Sequence, residues 1–519
     1  MSRAVVLRLL GLFGSLCCAV AGLLHGAGPE LVRWVSLTSL VQSRYGGVSL
    51  TLWTVGLTSL CVAWWRGIRL AGQGTLSVRW IVVTAALWCV PMLITLPLGS
   101  RDLYSYACQG ALYTSGGNPY LQGVSSQPCP WLGSVSVIWR DTPTPYGPAF
   151  VMFAGLAVAA GSQFVAVAAF RALAVVSLIA LAAVLPVLAR RVGVPVERAM
   201  WLVLASPVVS VHLVGGGHND ATTVALLAAG LALLAGRTVR SGALVAGGSL
   251  LGLAAAVKPT VGVVLPFAAL LAAGGSALFP PVTAPTGGSG QLPAAEARGR
   301  RWRALGLPEP AALVLLARRG GTVMAAGLAT LVLSSFASGL GLGWVTALSG
   351  ANKAVTWTSP PTAVGITVTA IGKWFGLHWS AVPMARVVAL ILLAVALVAI
   401  VWRTRRDSPF YGAGLACLAV IFLAPITQPW YLTWPALLFA ATTVPARWLD
   451  GSVVFAMFTV LPSGDGSFRY LQVPLSFAVT ALVGWVAFRA VRWLRETEPA
   501  VGDIPEPLGE PQGGRVGRH

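Results

Sequence analysis

The sequence predicts an all-α polytopic integral membrane protein with about 12–14 transmembrane helices. Composition is the first observation behind this prediction, because 56% of the 519 residues are hydrophobic and only 10% are charged. The second is that apolar runs long enough to cross a bilayer recur throughout the chain. The third is that arginines gather in the short segments between those runs, as is typical of cytoplasmic loops.

The apolar runs define the transmembrane helices in chain order. The run behind Arg3 resembles a signal peptide, but no clear cleavage site follows it, so we interpret it as a retained span. Several runs are short, which is why the number of spans is given as a range. They lie near residues 5–24, 48–65, 80–98, 171–189, 198–214, 221–236, 242–257, 260–274, 321–341, 383–402, 410–426, 431–446, 450–462 and 472–491.

The arginines predict the orientation of these helices. With the N-terminus inside, the arginine-rich connections from Arg66 to Arg447 and the C-terminal tail are all cytoplasmic, and the first large connection, 98–148, is outside. The apolar stretches 148–170 and 362–378 then must not cross the bilayer. The same arginines account for the net charge of +20, so we expect membrane lipids and no nucleic acid as partners.

Composition also predicts four regions. Residues 1–274 form an N-terminal transmembrane module that carries the large outer loop 98–148. Residues 275–310 are rich in Pro and Gly and then in Arg, which is typical of a cytoplasmic linker. Residues 311–495 form a C-terminal transmembrane module. Residues 496–519 contain no apolar run and predict a disordered cytoplasmic tail.

The fifteen acidic residues divide between the two sides of the membrane. Ten fall on predicted cytoplasmic connections or in the C-terminal tail. The five that remain outside are Glu30, Asp102, Asp141, Asp220 and Asp465. A reaction on the outer face that needs a carboxylate base has to use one of these five.

Asp102 is the strongest candidate for such a base. It follows directly on an apolar span, within Ser100-Arg101-Asp102-Leu103-Tyr104-Ser105-Tyr106, where a carboxylate is expensive to keep. Arg101, Tyr104 and Tyr106 could then line a sugar or lipid pocket. The alternative is an exposed Arg101–Asp102 charge pair beside interfacial tyrosines.

Further polar motifs lie in the outer loop and at the next outer turns. The loop adds Asn118 and Tyr120 in one turn-rich motif and Arg140, Asp141 and Tyr146 in another, where aromatic rings offer flat faces to a sugar. His218, Asn219 and Asp220 follow three glycines and could contact a ligand, or Asn219 or Asp220 could simply cap the next helix. A single His beside a single Asp is weak spacing for a metal site.

Two outer turns offer further candidates. Lys258 could bind a phosphate as a point charge, or its side chain could extend to the lipid headgroups. Gln428 and Trp430 could bind substrate or belong to the interfacial aromatic belt. Asp465 and Arg469 are interpreted as a surface pair.

Cysteine placement indicates one disulfide. Five of the seven cysteines lie within predicted spans, where they behave as small apolar residues. Cys108 and Cys129 share the large outer loop, and in an oxidising compartment they could form a disulfide that stabilises it by roughly 3 kcal/mol.

These motifs together carry a family resemblance. Residues 100–107 with Gln109-Gly110, then Asn118-Pro119-Tyr120, Pro145-Tyr146-Gly147-Pro148 and Gly217-His218-Asn219-Asp220, resemble the polyprenol-phosphomannose-dependent α-1,6-mannosyltransferases of actinobacteria. These enzymes belong to the GT-C class of membrane glycosyltransferases. The likeness extends over roughly residues 80–480 and is densest over 98–260.

The resemblance implies a concrete activity. A polyprenyl-phosphate-mannose donor and a mannan or lipoglycan acceptor would meet on the extracytoplasmic face of the plasma membrane, with Asp102 as the general base of an inverting transfer. No cofactor is implied, and a divalent metal is left open. Lys258, with Arg140 or His218, would stabilise the leaving phosphate. The substrate sites would be shaped by Arg101, Tyr104, Tyr106, Asn118, Tyr120, Asp141, Tyr146, Asn219, Asp220, Gln428 and Trp430.

Two other classes of function are compatible with the composition. One is a secondary transporter or flippase of a lipid-linked sugar, and the other is a non-catalytic protein of envelope assembly. A transporter should carry ionisable residues at mid-bilayer in broken helices, whereas the outer acidic residues here follow the ends of predicted spans.

The predicted topology can be tested by labelling introduced cysteines. Because arginine bias places the loop outside and the linker inside, cysteines in 115–125 should react with a membrane-impermeant thiol reagent in intact cells. Cysteines in 290–300 and in the C-terminal tail should react only after permeabilisation. Labelling of 115–125 and the tail from the same side would contradict the assignment.

Overall fold

In a computed structural model the protein is a helical assembly, which confirms the predicted all-α membrane fold. The structure describes residues 2–29, 41–236, 239–278, 310–350, 355, 358–443 and 447–464, with single positions at 478, 481, 485 and 489. Helices account for 76% of the structure, and no strand is found in the part described. The predicted 279–309 stretch of the linker and the predicted tail 496–519 lie outside it.

The chain begins with three apolar helices, α1 (Arg3–His25), α2 (Gly46–Gly72) and α3 (Val78–Leu93). Ser2 and Ser77 start α1 and α3, because each side-chain hydroxyl accepts a backbone N–H of the first turn. Helices α2 and α3 pack against Trp201 further along the chain: a Cβ on Gly67 would lie 2.1 Å from its ring, and its ring lies edge-on to Trp88 at 5.6 Å. Glu30 lies outside the described residues.

The predicted outer loop 98–148 and the segment that follows it fold into three further helices, α4 (Asp102–Thr114), α5 (Val137–Arg140) and α6 (Pro148–Val158). A disulfide joins Cys108 in α4 to Cys129. The Tyr104 hydroxyl donates to the carbonyl oxygen of Ala27 at 2.7 Å, which ties α4 to the segment just after α1. The loop that begins at Asp102 is therefore an ordered, helical part of the core.

The next region contains α7 (Gln163–Val192), α8 (Val196–Leu204), α9 (Asp220–Leu234), α10 (Ser241–Val257) and α11 (Leu265–Ala273). Helix α7 begins eight residues before the predicted span 171–189, where the Ser162 hydroxyl accepts the Val165 N–H. The predicted single span 198–214 is bent in the structure. It consists of α8 and a π-helical segment, Val209–Gly215, at an angle of 55°, because Pro207 cannot continue the hydrogen bonding of α8.

The C-terminal half contains α12 (Pro310–Leu315), α13 (Gly321–Ala337), α14 (Gly343–Gly350), α15 (Pro360–Trp374), α16 (Val382–Arg403), α17 (Pro409–Leu423), α18 (Thr433–Ala440) and α19 (Arg447–Met457). The predicted spans 431–446 and 450–462 correspond to helices of only 8 and 11 residues. Nearly all of the predicted span 472–491, and the predicted Asp465–Arg469 pair, lie outside the described residues.

Five described helices are long and apolar enough to cross a membrane, or six if the bent pair is one span. They are Arg3–His25 (α1), Gly46–Gly72 (α2), Gln163–Val192 (α7), Pro310–Ala337 (α12 together with α13) and Val382–Arg403 (α16). Six shorter apolar helices accompany them, so the chain is a multi-pass membrane protein. The predicted total of about 12–14 spans, like the non-crossing status of 148–170 and 362–378, stays a prediction.

Close packing joins α10 to the C-terminal half. A Cβ atom on Gly252 in α10 would lie 2.2 Å from the carbonyl oxygen of Gly327 in α13, so only glycine allows the two backbones to approach this closely. This contact fixes α10, the helix whose C-cap is Lys258.

The disulfide can be tested by thiol alkylation of the protein in membranes. Cys108 and Cys129 should label only after reduction, whereas a Cys108→Ala variant should expose one additional reactive thiol at Cys129. Because the bond closes a loop of about 20 residues, its loss should destabilise the outer loop by roughly 3 kcal/mol. Free labelling of both residues before reduction would show that the loop is held by packing alone.

Candidate active site

Asp102 lies at the start of α4, with its backbone N–H donating to the Ser100 hydroxyl at 3.0 Å. The residue is only 8% exposed, and the Tyr146 hydroxyl donates to its Oδ2 at 3.4 Å. Burial raises the pKa of the Asp102 carboxyl to about 6. The low exposure of Asp102 excludes the alternative of an exposed Arg101–Asp102 surface pair. Such a carboxylate is ionised at neutral pH and basic enough to accept a proton.

Arg171 holds together the two chain segments that form the site. Its guanidinium, on α7, donates to the carbonyl oxygens of Thr95 and Gly215 at 2.8 Å each. The first carbonyl belongs to the segment that leads to Asp102, and the second to the segment that leads to His218. The sequence analysis missed this residue, although a single arginine inside an apolar run is itself a signal of a buried polar contact.

His218 faces the Asp102 carboxylate. Its Nδ1 lies 3.6 Å from Asp102 Oδ2 and 3.4 Å from the Tyr106 hydroxyl, and the ring is fully buried. Burial lowers the pKa of His218 well below its usual value, so the imidazole is neutral at physiological pH and the contact is not an ion pair. Gly217, with a φ of 62°, allows this approach, because a Cβ there would be 2.6 Å from Leu103.

Asp220 and Lys258 form a buried ion pair. Lys258 Nζ donates to Asp220 Oδ2 at 2.6 Å, and the Trp434 indole N–H donates to Asp220 Oδ1 at 2.7 Å. Lys258 is 4% exposed and Asp220 is fully buried. The capping alternative is therefore wrong for Asp220, and the Asn219 side chain makes no cap hydrogen bond either. Lys258 does not extend to the headgroups.

Aromatic rings enclose the lysine. The Lys258 ammonium lies 4.2 Å from the ring centroid of Tyr431, 5.4 Å from Trp434 and 5.8 Å from Tyr146. Tyr146 in turn meets Tyr106 edge-on at 5.0 Å. Such rings stabilise a cation that has little access to water. Tyr431 and Trp434 come from the C-terminal half, and the sequence analysis did not select either as a site residue.

Trp430 also belongs to this centre. Its indole stacks on the His218 imidazole with ring centroids 3.5 Å apart, and it is 3% exposed. The interfacial-belt alternative is therefore wrong for Trp430. Gln428, two residues earlier, is half-buried, and its backbone carbonyl accepts the Tyr431 N–H.

Several buried polar atoms in the same segments have no hydrogen-bond partner in the described structure. They are Ser105 Oγ, His218 Nε2 and both amide atoms of Asn219. Unpaired buried polar groups are costly, and each one calls for a bound partner. Because Ser105 lies one helical turn after Asp102 and Asn219 directly follows His218, these atoms are candidates to bind a polar substrate.

The remaining predicted site residues contact the loop 98–148 or the segments packed against it instead. Arg101 donates to the carbonyl oxygens of Gly28 and Ser134, and Arg140 to those of Val135 and Gly133. Tyr104 donates to the Ala27 carbonyl, and the Asn118 side chain accepts the Tyr120 N–H. Tyr120 packs against Val151 and Ala347, and the exposed Asp141 carboxylate accepts the Ser125 hydroxyl. We therefore place these six residues in the support of the loop.

A metal centre finds no support in the described part of the chain, where no three His, Cys, Asp or Glu residues are grouped closely enough to hold an ion. Among the described residues, the charged groups of this centre are Asp102, Asp220 and Lys258.

Comparison with known proteins matches most of the chain. Residues 8–274 match the family described as "Alpha-(1->6)-mannopyranosyltransferase, N-terminal domain", and residues 361–489 match the "MptB C-terminal domain". No solved structure matches this chain.

Curated relatives cover nearly its full length. The "Alpha-(1->6)-mannopyranosyltransferase A" of Mycobacterium tuberculosis is 32% identical over 93% of this chain and 89% of its own length. A "Probable alpha-(1->6)-mannopyranosyltransferase" of Mycolicibacterium smegmatis is 30% identical over 96% and 91%. The "Alpha-(1->6)-mannopyranosyltransferase B" of Corynebacterium glutamicum is 28% identical over 94% and 83%. The chain is therefore a membrane glycosyltransferase, and it belongs to the actinobacterial alpha-(1->6)-mannopyranosyltransferase family.

Proposed function

We propose that this protein transfers mannose from a polyprenyl-phosphate-mannose donor to a mannan or lipoglycan acceptor, forming an α-1,6 linkage. The names of its relatives support mannosyl transfer with that linkage. The observation that carries the mechanism is the buried carboxylate of Asp102 in one centre with Lys258. A base and a cation are the two groups that transfer from a lipid phosphate needs.

Asp102 acts as the general base. It removes the proton from the acceptor hydroxyl while the oxygen attacks the anomeric carbon of the donor sugar. The new glycosidic bond forms as the bond from that carbon to the phosphate oxygen breaks, and the electron pair leaves with the phosphate. One carboxylate suffices for such an inverting displacement. The second carboxylate of the centre, Asp220, is already bound to Lys258 and Trp434.

Lys258 stabilises the leaving polyprenyl phosphate. Its ammonium has three N–H donors, of which Asp220 takes one, so others can reach a phosphate oxygen. The ion pair and the surrounding rings keep the ammonium charged despite burial. Asn219 and Ser105, whose buried polar atoms lack partners, offer hydrogen bonds to substrate hydroxyls.

The predicted topology supports a site on the extracytoplasmic face of the plasma membrane, with both termini in the cytoplasm. The polyprenyl tail would remain in the bilayer while the sugar phosphate enters the centre. The proposed modules, 1–274 and 311–495, joined by the linker 275–310, both contribute to that centre, because Lys258 lies in the first and Trp434 in the second.

Replacing Asp102 by Asn should leave the protein inserted and lower the rate of transfer by about 10²–10⁴. The amide keeps the shape of the carboxylate but cannot accept the proton. Asp141→Asn is the matched control, since Asp141 is exposed and contacts only loop residues in the described structure. The measurement is the initial rate in membranes with matched protein amounts, a polyprenyl-phosphate-mannose donor and an oligomannoside acceptor.

The same assay should show a pH dependence set by Asp102. Because burial raises the pKa of Asp102 to about 6 and the ionised form is the base, kcat/KM should be half-maximal near pH 6. Below that pH it should fall about tenfold per pH unit, and above it a plateau is expected. Near-normal turnover by Asp102→Asn at neutral pH would contradict the assignment.

The ion pair can be tested with paired substitutions. Asp220→Asn or Lys258→Met alone should destabilise the protein by about 3–5 kcal/mol, because each leaves one buried charge without its partner. The double variant removes both charges and should recover much of that stability, measured as the unfolding temperature in detergent. It should not recover activity, because the cation for the phosphate is missing. Recovery of activity would show that Lys258 has only a structural role.

A further inference from the structure

The indole of Trp430, the imidazole of His218 and the carboxylate of Asp102 lie in sequence across the centre. The indole and imidazole planes are 17° apart with centroids 3.5 Å apart, which is a full stacking contact. Through Nδ1, at the edge of its ring, the imidazole reaches Asp102 Oδ2 at 3.6 Å. Trp430 lies in the short 3₁₀ turn Pro429–Leu432, so the C-terminal half supplies the ring that stacks on His218.

The contacts of Trp430 do not suit a platform for a sugar. A sugar-stacking ring presents an open face, whereas one face of this indole is covered by His218. The His212 ring lies 5.5 Å from the indole at 49°, and the Tyr431 ring lies edge-on at 6.2 Å. With 3% of the residue exposed, the indole is packed among protein rings. This differs from the substrate-binding role that the sequence analysis gave it.

The chain that leads to Trp430 is itself fixed. Hydroxyl groups at the start of α15 donate to three carbonyls just before the 3₁₀ turn: Thr358 to Thr427 at 2.7 Å, Ser359 to Ala424 at 3.1 Å, and Thr362 to Pro425 at 3.3 Å. Arg386 Nε donates to the Thr362 hydroxyl at 3.0 Å. An indole on so firmly held a turn can hold its neighbour in one place.

His218 affects Asp102 mainly by excluding water. A distance of 3.6 Å is too long for a hydrogen bond, and the neutral imidazole brings no charge. The other polar and titratable groups near Asp102 are Lys258 from the end of α10, Asp220 from α9, Tyr106 of α4, Tyr431 of the 3₁₀ turn, Tyr146 from the loop before α6, and Ser100. Lys258, Tyr146 and Ser100 favour the ionised carboxylate and Asp220 the protonated form, yet burial outweighs them all. The layer that keeps water out therefore determines how strong a base Asp102 is.

We propose that Trp430 is a positioning residue, which acts on the base through His218 by holding the imidazole against Asp102 and keeping water away from the carboxylate. This inference rests on the proposed function of Asp102. It also assigns the C-terminal half a defined part in proton transfer, through a ring that touches neither reacting atom.

The test is the pH profile of kcat/KM for Trp430 variants in membranes. In Trp430→Ala, water reaches the carboxylate, so the half-maximal pH should move about one unit towards acid. The kcat should fall about tenfold, while KM for polyprenyl-phosphate mannose should change less than about twofold. Trp430→Phe keeps a stacking ring and should keep the wild-type profile. Trp374→Ala is the matched control, because that indole is 72% exposed.

The half-maximal pH does not depend on the amount of folded protein, so a partly unfolded variant still gives an answer. Combining Trp430→Ala with His218→Ala should shift the profile no further than His218→Ala alone, since Trp430 acts through that ring. An unchanged half-maximal pH with a several-fold higher KM for the donor would overturn the inference and identify Trp430 as a sugar contact. Failure of the proposed function is recognised separately, as near-normal activity of Asp102→Asn.

Discussion

The buried ion pair between Lys258 and Asp220 is the interaction on which the rest of the centre depends. Neither charge could remain in this apolar interior alone, because the desolvation of an unpaired ion costs several kcal/mol. Each partner is therefore fixed by the other at 2.6 Å, and the Trp434 indole fixes the second carboxylate oxygen at 2.7 Å. Once Asp220 is committed in this way, Asp102 is the carboxylate of the centre that is left to accept a proton.

The same constraint explains why the two halves of the chain meet here. The N-terminal half supplies both carboxylates and the lysine, but it cannot shield them from water by itself. Tyr431 and Trp434 enclose the lysine, and Trp430 covers His218 beside the base. Arg171 secures the arrangement as well, because its guanidinium binds the carbonyls of both segments that carry the site. In the proposed function, sugar transfer depends on contacts between residues that are far apart in sequence.

The sequence predicted what depends on local pattern. Composition predicted the membrane class, and the position of a carboxylate directly after an apolar span pointed to Asp102 as the candidate base. Other features needed three dimensions: a lone lysine and a lone aspartate, 38 residues apart, carry no mark of being partners. The break at Pro207 was visible in the sequence, but the surrounding apolar run concealed it. Arg101 and Arg140 were chosen as ligands for their charge, yet arginines also bind backbone carbonyls, and only the folded loop shows which role applies.

The most direct test of the account is a cryo-EM structure with a non-transferable polyprenyl-phosphate-mannose analogue and an oligomannoside acceptor bound together. The account predicts that the acceptor's 6-hydroxyl lies within about 2.6–3.2 Å of an Asp102 oxygen. The donor phosphate should lie against Lys258, with the anomeric carbon between the two. A ternary complex in which the anomeric carbon lies away from Asp102, or in which another carboxylate contacts the acceptor hydroxyl, would contradict it.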